Sequence, residues 1–170
     1  MELIKVISGG QTGVDIAALR AASAHKFETG GTCPYTNYSK NVACRLYGVV
    51  PLENSTKMPI SAQLPARSRK NVDDADGTLA FSFKKSIGTD ATIRYAKTGI
   101  WGSYISPQFQ PNPLLIVTSL HDDQLPVIVK FLNDNAIRTL NVCGHRDIEY
   151  ETPVEIFLRK LFLLVCNNKM

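Results

Sequence analysis

The chain has 170 residues, an ordinary size for one folded unit with a sizeable core. With 44% hydrophobic and 20% charged residues it reads as a soluble globular protein, and no apolar run approaches the roughly 20 residues of a membrane helix. The net charge of +4 is modest and ungathered, which argues against wrapping a nucleic-acid backbone and suits a small anionic ligand.

The first element is a short apolar strand over residues 3–7, which empties into Ser8-Gly9-Gly10-Gln11-Thr12-Gly13. An alanine-rich helical stretch, 14–25, follows directly. Strand, glycine turn and helix together aim backbone N–H groups and a positive helix end at an anion. Glycines let a ligand approach the main chain without meeting a Cβ, and Gln11 and Thr12 can add side-chain hydrogen bonds. The spacing is neither G-x-G-x-x-G nor a Walker loop, since no Lys follows Gly13. The turn therefore points to a phosphate-bearing ligand rather than to a generic dinucleotide or ATP fold. Because Met1-Glu2-Leu3 runs straight into this strand, no secretory leader is expected and the cytoplasm is the default compartment.

Residues 27–32 supply a second strand, interrupted by Gly30-Gly31. The stretch 33–65 has little helical period, although 47–52 can form a short strand; so long a connection implies hidden elements or a covered site. A polar helix is expected over 66–73, carrying the basic cluster Arg67-Ser68-Arg69-Lys70, which reads equally as a solvated face or a ligand contact. Residues 77–83 form a buried strand, 84–88 a turn and 89–97 a helix behind Gly88. Residues 99–113, rich in Gly, Pro, Ser and aromatics, read as loop. Then 114–118 is a continuous apolar strand. Leu125, Ile128, Val129, Leu132 and Ala136 form one helical stripe. Residues 139–143 make the last strand, and Val154, Phe157, Leu158, Leu161 and Val165 repeat the stripe toward the C-terminus.

Alternating strands and helices predict an α/β fold with a mainly parallel sheet, in a single domain spanning 1–170. In such sheets ligands bind beyond the carboxyl ends of the strands, near the point where strand order reverses. Three segments reach that edge: 9–13, 84–89 and Gly144-His145-Arg146. Convergence of the first two would set two helix N-termini on one cleft.

Cys33, Cys44, Cys143 and Cys166 are scattered without a C-x-x-C pair or nearby histidines, which argues against zinc and for free thiols. Cys143 and Cys166 look core-like, and Cys33 lies beside a glycine turn. His25 ends a helix and His121 precedes one. His145, next to Arg146 at a strand's carboxyl edge, is the histidine with a functional position.

Four stretches taken together resemble one family: the Ser8–Asp15 turn with its G-G-Q-T-G-x-D core, Gly31-Thr32-Cys33-Pro34, the run from Arg67 to Thr78, and Leu140-Asn141-Val142-Cys143-Gly144-His145-Arg146. Their order and spacing are similar to the molybdenum cofactor carrier proteins. That family belongs to a Rossmann-like superfamily, which also holds the lysine-decarboxylase-like, LOG-type nucleotide hydrolases. The resemblance covers nearly the whole chain. It departs at Ser86-Ile87-Gly88-Thr89, where the family has a glycine pair; at His145, where it has Pro; and at 99–112, a longer connection than the family's.

The resemblance implies a Rossmann-like three-layer fold and a non-catalytic carrier of molybdenum cofactor as cargo. That cofactor is a phosphorylated pterin-dithiolene with an oxo-molybdenum head. The first turn, Gly9, Gly10, Gln11, Thr12 and Gly13, would hold the phosphate. Gly88, Thr89 and Arg146 would serve the anionic head, and Asp15, Asp74 or Asp90 could accept from the pterin edge. Release of cargo favours hydrogen bonds over cysteine ligation. A homo-oligomer, in the family a tetramer, and molybdenum enzymes as recipients are implied, without nucleic acid or membrane.

Two other readings stand beside it. LOG-type hydrolases share P-G-G-x-G-T-x-x-E, whose Glu takes part in cleaving a nucleoside monophosphate. The matching stretch here ends in Thr92, which cannot act as a carboxylate base, and Asp90 falls two positions early. A nucleotide-sensing binding protein is the milder variant. Single-stranded DNA binding would want bases stacked along a basic groove; Tyr95, Trp101, Tyr104 and Phe109 supply aromatics, but few cations lie among them. A loop packing or a subunit contact is the expected use of that aromatic segment.

Overall fold

The computed structural model describes residues 2–38 and 42–167. In chain order the elements are β1 (Lys5–Ile7), α1 (Val14–Ala24), β2 (Glu28–Cys33), α2 (Tyr35–Tyr38), α3 (Val42–Leu46), β3 (Val49–Pro51), α4 (Ile60–Asp73) and β4 (Gly77–Phe81). They continue with α5 (Ile87–Thr98), β5 (Ile100–Trp101), β6 (Tyr104–Ile105), β7 (Leu114–Val117), α6 (Gln124–Asp134), β8 (Thr139–Cys143) and α7 (Glu151–Asn167). Six strands form one sheet in the order β3-β2-β1-β8-β4-β7. Every pairing in it is parallel, as helical crossovers require, so the expected α/β architecture is present.

The strand order positions the site. The chain moves outward from β1 to β2 and β3, crosses to β4 and β7, then returns β8 into the gap between β1 and β4. Leu140 of β8 thereby faces Val6 on one side and Gly77 on the other. Strand order reverses here, so the loops after β1, β4 and β8 leave the same edge of the sheet side by side.

Helices cover both faces of the sheet. Fully buried Ala17, Ala18, Ala21 and Ala22 of α1 let that helix pack closely on the sheet and on α7, whose Leu158, Leu161 and Phe162 complete the large core. A separate cluster of Val72, Tyr95 and Ala96, with Trp101 and Leu114 against it, joins α4, α5 and the β5–β6 hairpin.

The structure departs from the sequence expectation in several stretches: α2 and α3 lie in the segment with little helical period, and α5 begins two residues early, at Ile87. Helix α4 begins at Ile60, six residues before the predicted start, and carries Pro65 inside it. Pro65 is the sixth helical residue, so the helix forgoes the one bond its N–H would make to the Ser61 carbonyl, early in the second turn. The strand expected to reach residue 83 ends at Phe81, because the Phe83 N–H turns out of the sheet to another acceptor. The stretch read as loop, 99–113, folds a two-stranded antiparallel hairpin, with Trp101 paired to Tyr104.

Candidate functional site

The turn after β1 is shaped by Gly10 at φ 68° and Gly13 at φ 78°, the left-handed region that favours glycine. Its donors are largely committed within the protein. The Gly13 N–H donates to Glu151 Oε1 at 3.1 Å, and the Val14 N–H to the His145 carbonyl at 2.9 Å. The Gln11 N–H donates to Asp15 Oδ2 at 3.4 Å, and the Thr12 hydroxyl to the Arg146 carbonyl at 2.7 Å. Head and tail of the chain are thus fastened together at this edge.

A cleft of about 590 Å³ opens beside the turn. Of the residues singled out from sequence, Gly9, Gln11, Asp15, Gly88, Thr89 and Arg146 line it; Gly10, Thr12 and Gly13 do not. Gly10 backs onto Cys44 and Val49, and a Cβ on Gly13 would strike the backbone of His145 and Arg146. These two glycines build the turn, while Gly9 presents its surface to the cleft. Asp74 is paired with Lys70, and Asp90 is not among the lining residues.

Over Gly9 stands a side chain from the basic cluster of α4. The Arg67 guanidinium lies so close that a Cβ at Gly9 would overlap it. Arg67 reaches there from α4 and pairs with Asp15 at 3.4 Å, the two side chains being 11% and 6% exposed. Burial pushes the Asp15 carboxyl up, while the Arg67 guanidinium and the Gln11 N–H draw it down. Arg67 Nε is buried without a hydrogen-bond partner among the described residues. The basic cluster therefore divides by helical period. Arg67 and Ser68 line the cleft, Arg69 lies over the Tyr104 ring at 4.1 Å, and Lys70 pairs with Asp74 at 2.9 Å.

The opposite wall is the turn from β4 into α5. Ser86 is the N-cap of that helix, its hydroxyl accepting the Thr89 N–H at 3.5 Å. Thr89 is thus the third helical residue, buried, rather than the cap. Gly88 has open space around it. His145 holds this turn from below: its Nε2 accepts the Phe83 N–H at 3.0 Å and the Lys84 N–H at 3.4 Å, which fixes the neutral ring with its proton on Nδ1. Burial and then the Lys84 charge hold its pKa below the usual histidine value. Lys84 in turn pairs with Asp147 at 3.2 Å, which raises the lysine's pKa.

Among the described residues, no group of three or more His, Cys, Asp or Glu is placed to hold a metal. Cys143 lines the cleft, and burial pushes its thiol up to about 12. Cys33 and Cys44 sit instead in a small buried cluster with Leu19 and Val49. Their mutual hydrogen bond pushes the Cys33 thiol up and draws Cys44 down. Cys166 is half-buried against the main core.

Residues 6–155 match the circularly permutated YpsA SLOG family. The chain belongs to that family. This SLOG chain is also 28% identical to a solved protein from Syntrophus aciditrophicus SB, named "Putative molybdenum carrier protein", over 95% of each chain with a TM-score of 0.74. Among functionally curated proteins the sequence finds no match. In this SLOG sheet the first and last strands, β1 and β8, are neighbours at its centre, so residues from both chain ends meet in the cleft. Trp101 and the α4 side chains Leu64, Pro65 and Asn71 also line it. Arg67 could have been found from the basic cluster, but nothing in the sequence pointed Trp101 at this cleft.

Proposed function

We propose that this chain is a non-catalytic carrier that binds, protects and transfers molybdenum cofactor. The observation that carries the reading is the charge of the cleft. Arg67, Lys84, Lys85 and Arg146 line it against two carboxylates, Asp15 and Asp147, and each carboxylate already faces a cation. Such a cleft attracts an anion and leaves no unpaired carboxylate to act as a base. The cofactor's phosphate and oxo-metal head are suitable anions, met by Gly9, Gln11, Arg67, Gly88, Thr89 and Arg146. Gly10, Thr12 and Gly13 act behind them by holding the turn.

A further observation favours a carrier over a hydrolase. Thr92 stands where the LOG-type signature has its glutamate, and its hydroxyl is spent on the Gly88 carbonyl at 3.0 Å. The Syntrophus relative is named a molybdenum carrier, which supports a cargo that contains molybdenum. Molybdenum enzymes are the proposed recipients, and a homo-oligomer, in the family reading a tetramer, the proposed assembly.

Native mass spectrometry of freshly purified protein, with elemental analysis, tests the reading. The expected result is a homo-oligomer carrying the cofactor's mass, with molybdenum in the same fraction. Protein free of molybdenum that releases base from nucleoside monophosphates would overturn the carrier and install the hydrolase.

A further inference from the structure

We infer that Trp101, held on the β5–β6 hairpin, is the stacking wall for the flat heterocycle of a phosphorylated ligand in this cleft. The inference rests on the cleft being a ligand site and adds which end takes the ring. Along α5 the lining runs from Ile87, Gly88 and Thr89 at the helix head to Ala91 and Thr92 further on. Gly88 and Thr89, beside Lys84 and Lys85, form a polar, cationic end at the helix N-terminus. The larger apolar side chains of the lining are Leu64 and Pro65 of α4 and Trp101. From Gly88 to Tyr95, on which Trp101 packs, is about 10 Å of helix at 1.5 Å per residue. That span suits a phosphate, a short linker and a fused ring.

The hairpin is clamped rather than loose. Trp101 packs on the Tyr95 ring at 6.4 Å, and the Tyr95 hydroxyl donates to the Asp73 carboxylate at 2.9 Å. Tyr104 lies under the Arg69 guanidinium at 4.1 Å, and the Ser106 N–H closes onto the Gly99 carbonyl at 2.9 Å. Trp101 is only partly buried by these contacts and lines the cleft. A rigid aromatic surface beside an anion site is the arrangement that binds a base or pterin through its π-face while the phosphate is held elsewhere.

Trp101 is the sole tryptophan of the chain, so its own fluorescence reports the contact. The probes are guanosine 5′-monophosphate, whose amino-oxo pyrimidine edge matches a pterin's, neopterin monophosphate, and ribose 5-phosphate, which has no ring. Both ring compounds should quench Trp101, and ribose 5-phosphate should not. By calorimetry Trp101→Ala should lose about ten-fold or more in affinity for the ring compounds. Trp101→Phe should keep most of that affinity, and ribose 5-phosphate should bind all three proteins equally. If Trp101→Ala unfolds, the quenching and the Trp101→Phe comparison still decide. Failure of both ring compounds to bind or quench, or equal affinity in folded Trp101→Ala, overturns the inference. Quenching by a protein that purifies without molybdenum would sink the carrier reading alone. Equal molybdenum occupancy in wild type and Trp101→Ala would sink the stacking role alone.

Discussion

The Arg67–Asp15 pair concentrates the energetics of the cleft in two side chains. Both are nearly enclosed, the contact is long at 3.4 Å, and Arg67 Nε lacks a partner among the described residues. An unmet buried N–H costs about 1–3 kcal/mol, which a bound anion can relieve. Removing the cation alone strands the Asp15 carboxylate. Arg67→Met should therefore destabilise by about 3–5 kcal/mol in chemical denaturation, and adding Asp15→Asn should restore most of it. Neither variant should bind ribose 5-phosphate by calorimetry. Equal stability of the single and double variants would show that Asp15 does not depend on Arg67. The sequence showed the glycine turn because Gly10 and Gly13 carry their own backbone signature. Arg67 was only half legible, because four polar residues in a row read equally as a solvated face or a ligand contact until the helix turns two of them inward.

Individual elements were readable where a repeat was long enough to declare itself. Helices α6 and α7 carry apolar stripes, although Ala136 falls past the end of α6; β7 is a continuous apolar run, and its ends and those of β8 fall close to expectation. The first turns of α4 were hidden by Pro65, and β5 and β6, two residues each, have no period to detect. Contacts distant in sequence hold that hairpin: Arg69 on Tyr104, and Phe109 edge-on to Tyr95 at 6.2 Å. The head of α5 separates stability from binding. Ser86 caps the helix, whereas Thr89 lines the cleft. Ser86→Ala should cost about 1 kcal/mol of stability. Thr89→Val should leave the melting temperature almost unchanged and weaken ribose 5-phosphate binding, as loss of a bond to a charged group, worth about 1.5–3 kcal/mol, would require. A melting temperature lowered by Thr89→Val with affinity retained would return Thr89 to a structural role.

At the scale of the whole molecule, the alternation of strands and helices predicted the parallel sheet and the edge where the loops gather, but not the strand order. Order is set by long-range pairing, and here the last strand occupies the centre. Strand β8 bonds β1 on one side and β4 on the other, and α7 packs on α1. Leu140, Val142, Val154, Phe157, Leu158, Leu161 and Phe162 all come from residues 139–167, and none is more than 2% exposed. At about 1.5–3 kcal/mol for each large buried side chain, their joint contribution rivals the whole stability of a typical domain, about 5–15 kcal/mol. A chain ending at Arg138 would also leave the facing edges of β1 and β4 without a partner, exposing backbone donors and acceptors in the middle of the sheet. It should show no cooperative melt by circular dichroism. Co-expression with a fragment carrying 139–170 should restore the melt, because the pairing is intermolecular in principle and the cleft's Gly144–Arg146 rim arrives with the fragment. A cooperative transition of the shortened chain alone would show that β8 is an addition to the fold rather than its centre.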